Sequence, residues 1–345
     1  MNFVRWGIIG PGNIANNFAD GLKESNKGKL VAIASKNDER RDKFREKYNL
    51  DANLCFDKYD KIIDSSSIDA IYISTPHTLH AEWTIKAAKK GKHILCEKPG
   101  AVNFKEGKLV LNEVKNSKVF YMEGFMYRCH PQISALLKLI KEKKIGDIKL
   151  IKSSFGFNMG TVNPESRLFR KDLAGGAILD VGLYPISLSR MIAGVSSGKK
   201  FANPISLNCQ GLLGKTGVDE IAHATLKFEN NVVAKVSTSI MQDMDNNAII
   251  KGTEGTIELD QPWAPGRNQG PYHSKFIITT NNKKDIIDFK GPEQLFAFEA
   301  ELASQAILKG EKEIEYPGMQ WDDTLGNLKT LDEWRKKIGY TLPQD

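Results

Sequence analysis

The sequence predicts a two-domain α/β protein, in which a doubly wound dinucleotide-binding domain precedes an α+β domain with an open, mainly antiparallel sheet. The chain has 345 residues, which exceeds one ordinary domain and suits two. Up to residue 123, short β-rich runs alternate with amphipathic helical segments. After residue 123, several β-runs follow one another without helices between them. We therefore divide the chain into domains 1–123 and 124–345.

The alternation in the first domain is the pattern of a parallel sheet wrapped by helices. The predicted strands lie at 4–9, 30–35, 70–74, 93–96 and 119–122. The predicted helices, which carry apolar residues at helical spacing, lie at 14–24, 38–48, 81–90 and 104–116. Domains of this kind bind ligands at the carboxyl ends of their strands.

The second domain has a different order of predicted elements, with consecutive strands in place of alternating strands and helices. Its predicted strands lie at 148–157, 206–213, 220–229, 232–239, 248–251 and 256–259. Its predicted helices lie at 131–143, 177–193, 295–309 and 322–338. Glycine and asparagine separate consecutive strands, which is typical of antiparallel hairpins.

Composition argues against a nucleic-acid-binding or membrane protein. The net charge is +7, but lysine and arginine are scattered over predicted helix surfaces, so we expect no nucleic-acid partner. No uninterrupted apolar run approaches the roughly 20 residues of a membrane-spanning helix. The chain enters a strand at Val4, so we expect no export signal. The cysteines are isolated, which favours free thiols and a cytoplasmic location; they are Cys55, Cys96, Cys129 and Cys209.

A glycine-rich turn joins the first strand to the first helix. The sequence Gly10-Pro-Gly12-Asn13-Ile14-Ala15 has the G-x-G-x-x-A pattern in the strand–turn–helix context that it requires. Gly10 allows the tight turn, Gly12 lets backbone approach a pyrophosphate, and Ala15 permits close packing. The helix start at Asn13 and Ile14 offers N–H groups to phosphate. These residues are the predicted cofactor cradle.

The end of the second strand indicates which cofactor is preferred. NAD-preferring sites usually place a carboxylate there for the ribose 2′-hydroxyl, whereas this chain has Ser35 and Lys36, with Arg40 one helical turn on. A hydroxyl and two cations suit a 2′-phosphate. We therefore expect NADP(H), with NAD(H) possible because Asp38 and Glu39 lie nearby.

Thr75, Pro76, His77 and His80 follow the next predicted strand. Their place at the carboxyl end of a strand predicts that they line the cofactor groove. The two histidines are interpreted as helix-capping and ribose-contacting residues. No cysteine or carboxylate stands at metal-binding spacing, so we expect no metal.

Two further segments contain residues suited to hydride-transfer chemistry. Glu97 and Lys98 follow the fourth predicted strand. A lysine at this place can stabilise a developing oxyanion, and the alternative is that Glu97 and Lys98 form an ordinary surface ion pair. Asp180 and Tyr184 are one helical turn apart and face the same side. A tyrosine beside an ammonium can exchange a proton with a substrate hydroxyl. The alternative is a half-buried helix aromatic with Asp180 as a cap.

Together these motifs resemble the Gfo/Idh/MocA oxidoreductases. The resemblance rests on G-x-G-x-x-A, on E-K-P at residues 97–99, and on G-G-x-x-x-D-x-G-x-Y at residues 175–184. Three further segments are similar to the dihydrodiol and D-xylose dehydrogenase branch of this family. They are M-Y-R-C-H-P-Q at 126–132, R-L-F at 167–169 and D-T-L-G-N at 323–327. A tyrosine at residue 184 also separates the chain from inositol dehydrogenase-like members, which have histidine there.

The resemblance implies a Rossmann domain followed by a domain whose open sheet pairs subunits, giving a homodimer or homotetramer. It also implies that Lys98 and Tyr184 are the catalytic pair, with Asp180 as a polar partner near the substrate. Glu97 and Lys98 are expected beside the cofactor. The candidate substrate-binding residues are Arg128, His130, Phe155, Asp180 and Tyr184, although His130 could instead begin a helix.

We therefore expect hydride transfer between NADP(H) and a carbinol carbon of a small polyhydroxylated substrate, either a sugar such as D-xylose or glucose or a vicinal diol. Two alternatives stay open. One is a keto-sugar reductase with the same machinery. The other is a non-catalytic regulator that senses NADP(H).

Overall fold

A computed structural model describes residues 2–266 and 270–345, and its two sheets confirm the predicted α/β fold. The strands of the first sheet are β1 (Val4–Ile9), β2 (Gly28–Ala34), β3 (Cys55–Phe56), β4 (Ala70–Ile73), β5 (His93–Glu97) and β6 (Tyr121–Gly124). All pair in parallel, in the order β3-β2-β1-β4-β5-β6. The strand order reverses between β1 and β4, which is where doubly wound sheets bind their ligands.

Helices connect these strands: α1 (Asn13–Glu24), α2 (Asp38–Tyr48), α3 (Tyr59–Asp64), α4 (His80–Lys89) and α5 (Phe104–Ser117). Strand β3 and helix α3 were not predicted. They have two and six residues, respectively, which is too short for a periodic pattern to show.

The second sheet has eight strands and is mostly antiparallel. They are β7 (Ile148–Gly156), β8 (Ser206–Leu213), β9 (Asp219–Lys227), β10 (Val233–Ser239), β11 (Ala248–Gly252), β12 (Gly255–Leu259), β13 (Tyr272–Thr280) and β14 (Lys283–Gly291). Their order is β14-β13-β12-β11-β7-β10-β9-β8, and β7 and β10 form the parallel pair.

The β13–β14 hairpin was missed in the sequence. Its turn is Asn281-Asn282, with φ of 50° and 61°. Two consecutive left-handed residues match the twist of a hairpin, and asparagine tolerates that conformation. The Asn-Asn pair between two alternating runs was therefore the available signal.

The remaining α-helices are α6 (Met126–Cys129), α7 (Pro131–Lys141), α8 (Leu183–Val195), α9 (Leu295–Leu308) and α10 (Trp321–Lys337). The prediction of one regular helix over 177–193 was wrong at its start, because a π-helical turn, Ile178–Gly182, precedes α8. By length and composition Lys171–Val195 could cross a membrane, but its apolar window is wholly buried in the protein, as in a core helix.

The C-terminal helices pack against the first sheet's helices. Gly21 of α1 lies so close to α9 that an added Cβ would be 2.6 Å from the Phe296 carbonyl carbon. Gly107 of α5 makes a similar approach to Leu328 of α10. One hydrophobic cluster therefore runs from β1 through α9 to the second sheet.

Candidate active site

The turn between β1 and α1 has the geometry of a phosphate cradle. Gly10 has φ of +90°, and an added Cβ would be 3.1 Å from the Ser74 carbonyl oxygen, so glycine is required there. An added Cβ at Gly12 would meet no atom of the described residues within 4 Å. Gly12 is also the residue before α1, and within 2–266 and 270–345 no side chain caps the helix start at Asn13 and Ile14. The open space and the uncapped helix end fit a dinucleotide pyrophosphate.

The end of β2 places small polar and basic groups beside that cradle. Ser35 is buried, and its Oγ accepts a hydrogen bond from the Asn37 backbone N–H at 3.1 Å. Lys36 and Arg40 are exposed, with the Lys36 ammonium 5.5 Å from the centre of the Tyr59 ring. Sequence reasoning missed Arg41, which donates to the Ser35 carbonyl oxygen at 3.3 Å. An i,i+6 contact of this kind depends on the path of the backbone and has no sequence signature.

The segment after β4 contacts both parts of the chain. Thr75 is buried, and its hydroxyl has no hydrogen-bond partner among the described residues, while Pro76 is exposed. His77 is buried and pairs through Nδ1 with the Ala174 carbonyl oxygen at 3.1 Å. Burial, followed by the charge of Arg167, holds the pKa of His77 well below its usual range. His77 is therefore a neutral ring that links the first domain to the loop before α8.

Lys98, Asp180 and Arg167 form an ion cluster at the carboxyl end of β5. The Lys98 ammonium donates to the Asp180 carbonyl oxygen at 2.7 Å and lies 3.8 Å from its carboxylate. Arg167 pairs with the same carboxylate at 2.9 Å, with about half of its side chain exposed. Burial opposes ionisation of Asp180, but Lys98 and Arg167 hold its pKa well below the usual range. The cluster keeps a buried anion between two cations.

Tyr184 lies beside this cluster, inside a group of aromatic rings. The Lys98 ammonium is 5.3 Å from the centre of its ring. The ring centroids of Phe125, Phe155 and Trp263 lie between 5.4 and 6.2 Å from it. The Tyr184 hydroxyl donates to the Met126 thioether at 3.2 Å. Sulfur is a weak acceptor, so a substrate oxygen could replace it.

Trp263 is a buried neighbour of Tyr184 that sequence reasoning missed. It stacks on Phe155 at a centroid distance of 5.8 Å and an interplanar angle of 9°. Its indole N–H donates to the Ser154 carbonyl oxygen at 2.8 Å. Trp263 stands in a loop more than 100 positions from Phe155 in sequence, so only the folded chain brings them together.

Asp219 supports the helix that carries Asp180 and Tyr184, and it was also missed. Its carboxylate accepts the Ile178 backbone N–H at 2.7 Å, at the first residue of the π-helical turn. An added Cβ on Gly176 would be 2.1 Å from the Asp219 Oδ1, which accounts for the second glycine of the Gly-Gly pair. Burial raises the pKa of Asp219 to about 8, against the backbone hydrogen bonds that lower it.

The structure argues against a substrate contact by Arg128. Its side chain is fully buried and pairs with Asp323 at 2.8 Å, while other donors reach Ser187 and the Pro317 carbonyl oxygen. Arg190 pairs with the second Asp323 oxygen at 2.5 Å. Arg128 therefore joins α6, α8 and α10 in the interior.

His130 caps a helix, which is the alternative that the sequence left open. It precedes α7, and its Nδ1 accepts the Gln132 backbone N–H at 3.3 Å. Its ring is almost fully buried, with the rings of Tyr272 and Phe298 edge-on at 4.5 and 5.2 Å. This position argues against hydrogen bonds from His130 to substrate hydroxyls.

Glu97 is turned toward the interior, which argues against a cofactor contact through its carboxylate. The carboxylate is buried and accepts a short hydrogen bond from Tyr72. Glu299 of α9 is also buried nearby, and burial followed by the Glu97 charge raises its pKa well above the usual range. The described residues contain no group of three or more metal-binding side chains.

Comparison with known proteins identifies the family. Residues 4–125 match a family described as an oxidoreductase family with an NAD-binding Rossmann fold. Residues 133–258 match the GFO/IDH/MocA C-terminal domain. The trans-1,2-dihydrobenzene-1,2-diol dehydrogenase of Xenopus tropicalis is 31% identical over 349 residues, covering 99% of both chains. The human enzyme of that name is 29% identical over 345 residues, again covering 99% of both.

Solved structures share the fold. The aldose-aldose oxidoreductase of Caulobacter crescentus, complexed with glycerol, has a TM-score of 0.85 at 22% identity, covering 98% of each chain. The 3-ketoreductase KijD10 of Actinomadura kijaniata, in complex with NADP and TDP-benzene, has a TM-score of 0.83 at 24% identity, covering 97% of this chain and 98% of that one. With the cradle, the ion cluster and the two matched domains, the chain belongs to the GFO/IDH/MocA oxidoreductase family.

Proposed function

We propose that this enzyme transfers hydride between NADP(H) and a carbinol carbon of a vicinal diol on a flat carbocyclic ring, with Lys98, Asp180 and Tyr184 as its catalytic residues. The observation that carries the proposal is the cluster of these three side chains at the carboxyl end of β5, which is the edge of the parallel sheet that also carries the cradle at Gly12. Relatives that match 99% of the chain bear the name of a dihydrodiol dehydrogenase.

The chemistry of the cluster suits proton exchange with a hydroxyl. Tyr184 would take the substrate proton during oxidation and return it during reduction. A phenolate next to the Lys98 ammonium is favoured electrostatically, and Asp180 keeps that ammonium in place. A bound nicotinamide supplies the hydride acceptor or donor.

The aromatic side chains around Tyr184 support the choice of substrate. Phe155 and Trp263 stack in parallel and both lie near Tyr184. Flat apolar rings bury well against such surfaces, whereas a sugar has hydroxyls around its edge that need polar partners. Arg128 and His130, the predicted partners for those hydroxyls, are engaged in the interior.

Charge supports NADP over NAD. The end of β2 carries Ser35 and Lys36 in place of a carboxylate, and α2 adds Arg40 and Arg41. A 2′-phosphate gains charge-assisted hydrogen bonds from such groups.

We also propose a cytoplasmic location. The thiols of Cys55, Cys96, Cys129 and Cys209 are all free, which a reducing compartment maintains.

The test is an assay of the enzyme against a panel of substrates, in which the absorbance of the reduced nicotinamide reports turnover. A trans-dihydrodiol, D-xylose, D-glucose and an inositol are offered with NADP or NAD, and a keto-sugar with NADPH. We expect the highest kcat/KM for the dihydrodiol with NADP. The variant Tyr184→Phe should lower turnover by roughly two to four orders of magnitude without weakening NADPH binding. Tyr340→Phe, which removes a buried hydroxyl bonded to the Gly175 carbonyl oxygen, should keep turnover.

Each other outcome replaces the proposal with a defined alternative. Higher activity on D-xylose or D-glucose would mean a sugar dehydrogenase, and activity only on the keto-sugar would mean a reductase. Tight NADPH binding with no turnover on any compound would favour a sensor. Normal turnover by Tyr184→Phe would exclude that residue as the acid–base group.

A further inference from the structure

The second peptide unit after Lys98 is held from both sides by buried side chains. This unit joins Pro99 to Gly100. Its carbonyl oxygen lies 2.7 Å from Nδ1 of His80. Its N–H donates to Oε1 of Glu123 at 2.8 Å. Both polar atoms of one peptide are therefore bonded to side chains from two other elements, α4 and β6.

The His80 side chain joins the two loops that end β4 and β5. Its ring is 1% exposed, and its Nε2 lies 2.8 Å from the Thr75 carbonyl oxygen. A ring nitrogen bonds a carbonyl only as a donor. Burial lowers the pKa of His80 to about 4, although its two carbonyl contacts raise it, so at neutral pH the ring carries one proton and donates to only one of the two carbonyls. A hydrogen bond to Pro99 therefore needs that proton on Nδ1 and not on Nε2.

Glu123 supplies the opposite contact from the end of β6. Its side chain is 1% exposed, and it bonds the Gly100 N–H in the interior. An added Cβ on Gly100 would be 2.4 Å from the Tyr121 hydroxyl, so the peptide is packed closely against β6. Burial is the main reason why the pKa of Glu123 is raised to about 7. The hydrogen bonds from Gly100 and Thr324 and the charge of Arg190 act in the opposite direction, and the charge of Asp323 adds to the rise.

We propose that His80 and Glu123 are positioning residues that grip the Pro99–Gly100 peptide and thereby fix the backbone from which Lys98 reaches Asp180 and Tyr184. A free peptide could rotate and carry the lysine with it. Rotation would break the hydrogen bonds of this peptide to two side chains that are buried away from solvent. This inference rests on the proposed catalytic function of Lys98.

A matched pair of variants tests the hydrogen bond between Glu123 and the Gly100 N–H. Glu123→Gln keeps an oxygen acceptor for Gly100, and Glu123→Met has a similar size but no acceptor. We expect kcat of the Met variant to fall about tenfold or more below that of the Gln variant, with the NADPH dissociation constant of both within about threefold of wild type. Ser304→Ala, which removes the buried acceptor of the Trp6 indole N–H far from Lys98, controls for lost stability.

Equal kcat in the Gln and Met variants would overturn the proposal, as would an equal loss in Ser304→Ala at a matched drop in melting temperature. An inactive wild-type enzyme would refute the proposed function instead. The two failures are therefore distinct.

A second measurement needs neither activity nor a stable variant at Glu123. Long-range proton–nitrogen NMR spectra of histidine-labelled wild-type protein report which ring nitrogens carry protons. His80→Gln assigns the His80 signal among the six histidines. The proposal requires a protonated Nδ1 at neutral pH, and an unprotonated Nδ1 would overturn it.

Discussion

Asp180 shows how individual residues keep a buried charge in this site. Its side chain is 7% exposed, and burial alone would neutralise it. Lys98 and Arg167 reverse that effect and hold its pKa well below the usual range. Because the pKa in the folded state lies below the unfolded value of about 3.9, ionised Asp180 stabilises the fold above that pH. This stabilisation is lost as the pH falls through the folded pKa.

Removal of the Asp180 charge should therefore cost stability in a defined pH window. We expect Asp180→Asn to lower the free energy of unfolding by about 2 kcal/mol, less than the 3–5 kcal/mol of a fully buried pair because Arg167 is half exposed. The loss should be constant from about pH 8 to pH 5 and shrink below about pH 4. Denaturant unfolding across pH measures it.

The control is Asp172→Asn, which removes an exposed partner of Arg170 and should change nothing measurable. An Asp180→Asn difference that grows toward acid pH would contradict the assignment of a low pKa to this carboxyl.

At the scale of elements, the two glycines of the β1–α1 turn have different functions: Gly10 is required by the fold, and Gly12 leaves space for the cofactor. Gly10 has a left-handed backbone and close neighbours, whereas Gly12 has φ of −89° and open space. Gly12→Ala should therefore leave the melting temperature of the free protein nearly unchanged and weaken NADPH binding by about tenfold or more, because the methyl group takes the pyrophosphate's place.

Differential scanning fluorimetry and NADPH fluorescence titration measure both effects. Gly10→Ala is the contrasting variant and should lower the melting temperature as well, because alanine is strained at φ of +90°. Unchanged NADPH affinity in Gly12→Ala would place the pyrophosphate elsewhere.

The end of β2 should decide between the two nicotinamide cofactors. Ser35→Asp introduces a carboxylate, which accepts a hydrogen bond from a ribose 2′-hydroxyl and repels a 2′-phosphate. We expect the ratio of kcat/KM for NADP to that for NAD to fall by roughly 10- to 150-fold, the equivalent of about 1.5–3 kcal/mol for a hydrogen bond to a charged group. Asn53→Asp adds the same charge at an exposed position outside the cradle and should leave the ratio unchanged. A ratio unaffected by Ser35→Asp would refute the 2′-phosphate assignment.

At the scale of the whole molecule, the second sheet has one covered face and one open face. On β11, Ala248 and Ile250 are fully buried, whereas Ile249 between them is only partly buried. The same alternation on β9 buries Ala222 and Leu226 and exposes His223. Helices cover the inner face, so the outer face is available for a second copy.

We propose a homodimer through that open face. Light scattering should give a mass of twice 38.5 kDa, and Ile249→Glu should shift the mass toward one chain, because a buried charge without a partner is costly. Leu109→Glu, at an exposed position of α5, is the matched control and should not change the mass. A monomeric wild-type protein, or a dimer unaffected by Ile249→Glu, would argue against this interface.

Much of the fold could be predicted from sequence because its signals are local. The alternation of strands and helices, the Gly10–Gly12 turn and the polar segments after β4 and β5 each depend on neighbouring residues. The missed elements carry weak local signals: β3 has two residues, and the π-helical turn before α8 has the composition of an ordinary helix. The hairpin at Asn281 had a signal that was overlooked.

The sequence by itself determined the order of the elements, the place of the cofactor cradle and the candidates Lys98, Asp180 and Tyr184, since motif spacing and periodicity are properties of short segments. Only the tertiary structure decided how the other polar residues are used. Arg128 pairs with Asp323, 195 positions away, and so lies in the interior and not at the pocket. Long-range packing chooses such partners, because a buried charge or peptide must be bonded by whatever group the fold brings beside it.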